Sequence, residues 1–358
     1  MKPDAFCLAT GIGSVPHIDP EAAVKYILEY LPDIPHWPQL PNSGPDEGFL
    51  NQFMGPLLRL GLVVEKGGKT FFDTAQEDWG AKLAEFYTLY MAAAEGDAQA
   101  LDFFAFPEES ARGFYQLAEY LAKNGAGQAK FLKGQISGPL TVGLAMTDQD
   151  RRAAYYNDQA RDALIKTLTL QGLWQARTLG AFGLPVIVFV DEPSLTCYGQ
   201  STYITLQRGQ IIEELNGIFA MIHAGGAFAG THVCAGTDWS ILFESNTDIV
   251  NFDAYEYFST VSSYPLEIKQ YLERGGVLAW GIVPTSEKVA GEDTASLLKL
   301  LDKQMGELAA KGIDRQKLLA QALITPSCGT GTLPMDLAEK IYRLTAEISS
   351  ELRTKTGY

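Results

Sequence analysis

The residues in this chain best suited to chemistry are His232 and Cys234, two positions apart in Gly230-Thr231-His232-Val233-Cys234, and Cys328, far downstream in Ser327-Cys328-Gly329. If 227–234 is a strand, side chains at i and i+2 point to the same side, so one imidazole and one thiolate face a common ion. Cys328 follows a second strand-like run, 322–327, and adds another sulfur. A His/Cys/Cys donor set with one position open is how zinc is held when it must also take a substrate. The same residues also suit a hydrogen-bonded core histidine and two small buried hydrophobes, and spacing alone leaves both readings standing. With zinc in place, a substrate thiol at the open position is deprotonated near neutral pH, and alkylation at sulfur follows. Asp191 is placed to take an ammonium group, and the backbone at Gly13-Ser14, beside a helix start, to take a carboxylate. Ammonium, carboxylate and thiol together describe an amino acid such as homocysteine.

The elements that must position these residues alternate along the chain. Strand-like runs fall at 6–12, 33–41, 130–137, 186–190, 227–234, 249–253, 277–283 and 322–327. Helical stretches lie between them, at 20–31 with Asp19 as N-cap and Pro20 at the first position, and at 79–95, 107–124, 149–179, 207–225, 239–244, 265–274, 294–312 and 334–352. Most strand-like runs are apolar throughout, as parallel strands covered on both faces are. The pattern predicts an α/β fold, a single (β/α)₈ TIM barrel over 1–358. Two apolar runs around Lys66-Gly67-Gly68-Lys69 add a small β-hairpin insertion at 62–73. Polar and glycine residues gather where the runs stop: Gly13-Ser14, Gln39, Asn42, Ser137-Gly138-Pro139, Asp191-Glu192-Pro193, His232, Cys234, Asp253, Glu256 and Cys328-Gly329, with Trp280 inside the seventh run. In a barrel those ends share the rim where active sites sit.

Composition narrows the functional classes. The net charge of −15 argues against a nucleic-acid partner and against anionic membrane surfaces. No stretch approaches the roughly 20 apolar residues of a membrane span. Met1-Lys2-Pro3-Asp4 lacks the apolar centre of a signal peptide. Four scattered cysteines, Cys7, Cys197, Cys234 and Cys328, do not form a secreted disulfide pattern, which predicts a reducing, cytoplasmic setting.

On Ile12-Gly13-Ser14-Val15-Pro16, Ile136-Ser137-Gly138-Pro139-Leu140-Thr141, Asp191-Glu192-Pro193, His232-Val233-Cys234 and Pro326-Ser327-Cys328-Gly329, the chain resembles the C-terminal barrel of cobalamin-independent methionine synthase and its relatives in the uroporphyrinogen decarboxylase superfamily. The resemblance implies an enzyme of methionine biosynthesis, a zinc-dependent thiol methyltransferase acting on homocysteine. It implies His232, Cys234 and Cys328 as zinc ligands, with a carboxylate ending the sixth strand as the fourth. Strand pairing puts Asp253 there and counting from Cys234 puts Glu256 there, with Asp253 preferred. It gives Gly13 and Ser14 to the substrate carboxylate, and Asp191 to its ammonium and to catalysis. Two departures bear on the substrate. The acid that ends the family's second strand is missing from Trp37-Pro38-Gln39-Leu40-Pro41-Asn42, and no histidine follows Trp280. The expected methyl donor is therefore a methylcorrinoid protein rather than methyl-tetrahydrofolate. The alternatives are methyl transfer to a carrier thiol such as coenzyme M, a metal-free decarboxylase of the uroporphyrinogen type, and a corrinoid-binding module without turnover.

Overall fold

The computed structural model describes residues 5–357. Met1-Lys2-Pro3-Asp4, where no leader is expected, lies outside the described residues. Nine strands are present among those described: β1 Leu8–Ala9, β2 Val63–Lys66, β3 Lys69–Phe72, β4 Leu132–Ser137, β5 Val186–Asp191, β6 Phe228–Val233, β7 Ile249–Asp253, β8 Val277–Val283 and β9 Ala322–Pro326. Seven form one parallel sheet in the order β1-β9-β8-β7-β6-β5-β4. Helices return the chain between consecutive strands, including Arg208–Ala224 between β5 and β6 and Thr294–Ala310 between β8 and β9. Parallel neighbours require such crossovers.

The expected eight-stranded barrel is thus corrected to a seven-stranded parallel sheet. The run at 33–41 does not become a strand, because Pro35, Pro38 and Pro41 have no N–H to give a ladder. Only the isolated bridges Ser14↔Gln39 and His36↔Lys133 form. The segment is still hydrogen-bonded on both sides. Gln39 N donates to Gly13 O and Val15 N to Gln39 O, each at 3.0 Å, while Trp37 N donates to Lys133 O at 3.2 Å and Lys133 N to Pro35 O at 3.0 Å. The expected strand at 6–12 shrinks to Leu8–Ala9, since Phe6 and Cys7 take left-handed φ values of 39° and 59° that extended chain does not allow.

The hairpin forms as expected. β2 and β3 pair antiparallel with Lys66 opposite Lys69, and Gly67 and Gly68 supply φ values of 59° and 71° at the turn. Asp19 caps helix Pro20–Tyr30 by accepting from Glu21 N at 3.1 Å. The long helix starts at Asp158 rather than near 149, where Asn157 accepts from Gln159 N and Ala160 N. None of the helices of the described residues is long and apolar enough to cross a membrane.

Strand alternation divides the apolar residues between two cores. Leu8, Ile187, Phe189, Ile249, Val277, Ala279 and Leu323 pack together on the inner side of the curved sheet. Val188, Val190, Val250, Phe252, Leu278, Trp280 and Ile324 face the helices. Parity then decides which polar residues look inward: Asp191 follows Phe189, and Asn251 and Asp253 follow Ile249.

Helix Arg112–Asn124 lies directly on the segment that replaces the missing strand. A Cβ on Gly113 would sit 1.9 Å from the carbonyl oxygen of Pro38. Gly113→Ala is therefore expected to destabilise the protein by about 1–3 kcal/mol, the usual cost of overpacking, and to lower its calorimetric thermal midpoint. An unchanged midpoint would show that this contact is not made.

Candidate functional site

Asp191 ends β5, His232 is the penultimate residue of β6, Cys234 follows β6 directly, and Cys328 follows β9. The register pairs Asp191 with His232 and His232 with Asn251, so three neighbouring strands place inward-facing polar residues at one level. The loop after β9 brings Cys328 to the same place. Ligand atoms of His232, Cys234 and Cys328 all lie within 4.8 Å of one another.

The histidine is held by its far nitrogen. Asn251 Nδ2 donates to Ala279 O at 2.9 Å and to Thr325 Oγ1 at 2.8 Å. Asn251 Oδ1 meets His232 Nδ1. His232 Nε2 is buried without a hydrogen-bond partner. A buried polar atom left unmade in this way is costly unless something else occupies it, and a metal ion is one such partner.

The electrostatics fit a cation. The thiol of Cys234 is drawn down, first by its hydrogen bond with Cys328 and then, against burial, by His232. The Cys328 thiol moves upward, because it shares that hydrogen bond with Cys234 and is buried. One negative charge thus forms easily on the pair and a second does not. Burial pulls the His232 pKa down, but Cys234 and Asp191 outweigh it and the net shift is upward. The cluster therefore attracts positive charge, which a proton or a metal ion can supply. Burial pushes Asp191 up to about 6 against the opposing pull of His232 and Lys133. Its Oδ1 also has no hydrogen-bond partner.

The cluster opens on a cavity of about 280 Å³ whose lining includes Ser14, Gln39, Glu47, Asp191, His232 and Cys328. Among the described residues, its lining contains no lysine or arginine. Glu47 is 2% exposed and is already engaged, accepting from Arg112 Nε at 2.8 Å and from Leu40 N at 3.2 Å.

The other expected site residues lie as follows. Ser14 lines the cavity, and its Oγ accepts from Gly331 N at 3.2 Å. Gly13 is not in the lining. It is where the chain passes so close to Gln39 that a Cβ would lie 2.4 Å from Gln39 Oε1. Asp253 is not among the side chains that converge on the cluster. Its carboxylate turns back to accept from Glu256 N at 2.8 Å and closes the turn after β7. Glu256 is drawn away to Lys288 Nζ at 2.5 Å. Trp280 faces the helices, packed on Phe252 and Phe258, and so does not reach the rim.

Sequence reasoning passed over Asn251, Lys133 and Glu47. Asn251 carried a signal, since it is a polar residue inside an apolar run; Lys133, in the mixed strand Leu132–Ser137, carried none. Lys133 is fully buried, with Nζ donating to Ile12 O at 2.6 Å and lying 4.4 Å from the centre of the Phe189 ring. Glu47 sits in an irregular loop and had no such signal.

No family model and no curated protein matches the chain. Among solved structures, it is similar to the tandem GH20 catalytic modules of the pneumococcal exo-β-D-N-acetylglucosaminidase StrH, at 12% identity and a TM-score of 0.47, covering 96% of this chain and 85% of that one. That structure is a glycosidase module and not a methyltransferase. The finding corrects the expectation of a homocysteine methyltransferase of methionine biosynthesis. What stands is a barrel-like parallel α/β fold.

The convergence of three donors separates their variants from those of the neighbouring acids. Cys328→Ser is expected to weaken zinc binding by more than about a hundredfold, beyond the range seen for outer-shell changes. Asp253→Asn is expected to stay within a few-fold of the parent. Competition titration with a chromogenic chelator measures both, and equal losses would show that Asp253 joins the ion.

Proposed function

We propose that His232, Cys234 and Cys328 hold a zinc ion, and that the adjoining cavity binds a small thiol carrying an ammonium group. The observation that carries this reading is the convergence of the three donors around a buried, unpartnered Nε2. Two sulfurs and one imidazole favour zinc over the oxygen-seeking cations. When bound, zinc supplies the Lewis acidity that holds a thiol in its thiolate form near neutral pH.

The chain's own residues would do the rest. Asp191 lines the cavity and its buried Oδ1 has no hydrogen-bond partner, which leaves its carboxylate free to receive the ammonium. An ammonium beside the carboxylate favours its ionised form against the burial that pushes its pKa up. The apolar lining, Ile12 and Phe49 among it, keeps the thiol end away from bulk water. Among the described residues of the lining, Glu47 is taken by Arg112, so no second free carboxylate stands beside Asp191 as a carboxylate-pair glycosidase requires. The free thiols of the site fit a reducing compartment such as the cytoplasm.

The test is calorimetry on zinc-loaded protein with cysteamine, 2-mercaptoethanol and mercaptoacetate. Cysteamine is expected to bind tightest and mercaptoacetate weakest. Asp191→Asn is expected to weaken cysteamine about ten- to a hundredfold, as losing a hydrogen bond to a charged group does, while leaving 2-mercaptoethanol unchanged. A folded preparation that takes up no zinc, or three thiols bound alike, would remove the proposal.

A further inference from the structure

We infer that Asn251 is a positioning residue that fixes the proton of His232 on Nδ1 and so reserves Nε2 for the ion, an inference that rests on the metal reading proposed above.

The carbonyl oxygen of Ala279 can only accept, so the Asn251 atom 2.9 Å from it must be the amide nitrogen. The other end of the amide is then the oxygen, which also only accepts. The His232 Nδ1 facing it must carry a proton. A neutral imidazole protonated on Nδ1 keeps its lone pair on Nε2, the atom with no hydrogen-bond partner that lies among the sulfurs. The hydroxyl of Thr325 anchors the amide a second time, at 2.8 Å. Asn251 is completely buried, so water does not compete for either end.

The geometry spans four strands. His232 is on β6, Asn251 on β7, Ala279 on β8 and Thr325 on β9, with His232↔Asn251 and Asn251↔Ala279 in direct register. Thr325 lies three residues before Cys328, so the same strand end that delivers the second sulfur also helps orient the imidazole. Partners of this kind that hold a ligand's other nitrogen tune the site as strongly as some ligands do.

The test is nitrogen-15 NMR of the histidine rings in the metal-free protein, at a pH above the imidazole titration, together with zinc competition titrations. The chain has only four histidines, and His232→Gln assigns the signal. The parent is expected to show His232 protonated on Nδ1 alone. Asn251→Leu is expected to shift the proton wholly or partly to Nε2 and to weaken zinc about 10- to 100-fold. Asn251→Asp keeps an acceptor toward Nδ1 and is expected to retain the tautomer, although its second oxygen has no hydrogen to give the Ala279 carbonyl and the variant loses stability. A parent ring protonated on Nε2 would overturn the inference without any variant, so it stays testable if Asn251→Leu does not fold. It is also overturned if folded Asn251→Leu keeps the parent tautomer and affinity, or if folded Asn251→Asp moves the proton to Nε2. Failure of the parent itself to bind zinc removes the metal reading instead, and the ring spectra then still decide whether Asn251 sets the tautomer.

Discussion

The constraint on which the site depends is the parallel ladder that holds β5 to β9 in register. Backbone hydrogen bonds fix Asp191 beside His232, His232 beside Asn251, and Asn251 beside Ala279. Because side chains alternate strictly along a strand, a slip of one residue would turn every one of these groups outward into the apolar layer under the helices. The inner apolar set of Phe189, Ile249, Val277 and Leu323 opposes that slip, since it would have to move into the outer layer at the same time. Register is therefore enforced by burial, and the polar cluster inherits its precision from hydrophobic residues one or two positions away.

Glu192 performs a parallel task at the rim. Its carboxylate accepts from Leu140 N at 2.7 Å, from Thr141 N at 2.9 Å and from Thr141 Oγ1 at 2.5 Å. That ties the end of β5 to the start of helix Pro139–Ala145, which begins where β4 ends. Gly138 is required there, since a Cβ would meet the Glu192 side chain at 2.3 Å. Burial pushes Glu192 up to about 8 despite those donors. A folded-state value above the unfolded one means that this group's contribution is full at low pH. It declines as pH rises from the ordinary carboxylate range toward 8. Adjacent acids thus divide the work: Asp191 looks inward with an oxygen unpartnered, while Glu192 turns outward and is saturated.

The interior of the sheet is unusually polar for a packed core. Lys133, Gln135, His36 and Asn251 are all fully buried. Each finds partners: His36 bridges Trp37 O and Tyr342 Oη, and Gln135 Nε2 reaches Trp37 O. Several of these bonds attach to the segment at 34–40, which has no ladder of its own. Side chains from β4 and from helix Met335–Thr356 do there what a regular strand does elsewhere, so loss of the ladder to proline does not leave the gap between β1 and β4 unsupported.

Much of this was legible in the sequence. Apolar runs alternating with amphipathic ones gave the parallel α/β architecture, the double glycine gave the hairpin, and the two-residue spacing of His232 and Cys234 put both on one side of a strand. These are local patterns, read by period and turn chemistry. The meeting of Cys328 with that pair depends on the crossovers that return β9 to its place next to β8, which no local pattern contains. The prolines at 35, 38 and 41 were visible, but only tertiary structure showed that they leave seven strands rather than eight. The direction of Asp253 was decided by a turn that offers its carboxylate a nearer N–H, and that of Glu256 by Lys288. The role of Asn251 depends on which atom of which strand stands opposite it. Sequence by itself determined residue types, periods and the side of each strand; tertiary structure decided which of them meet, because a contact between strands is set by register and crossover.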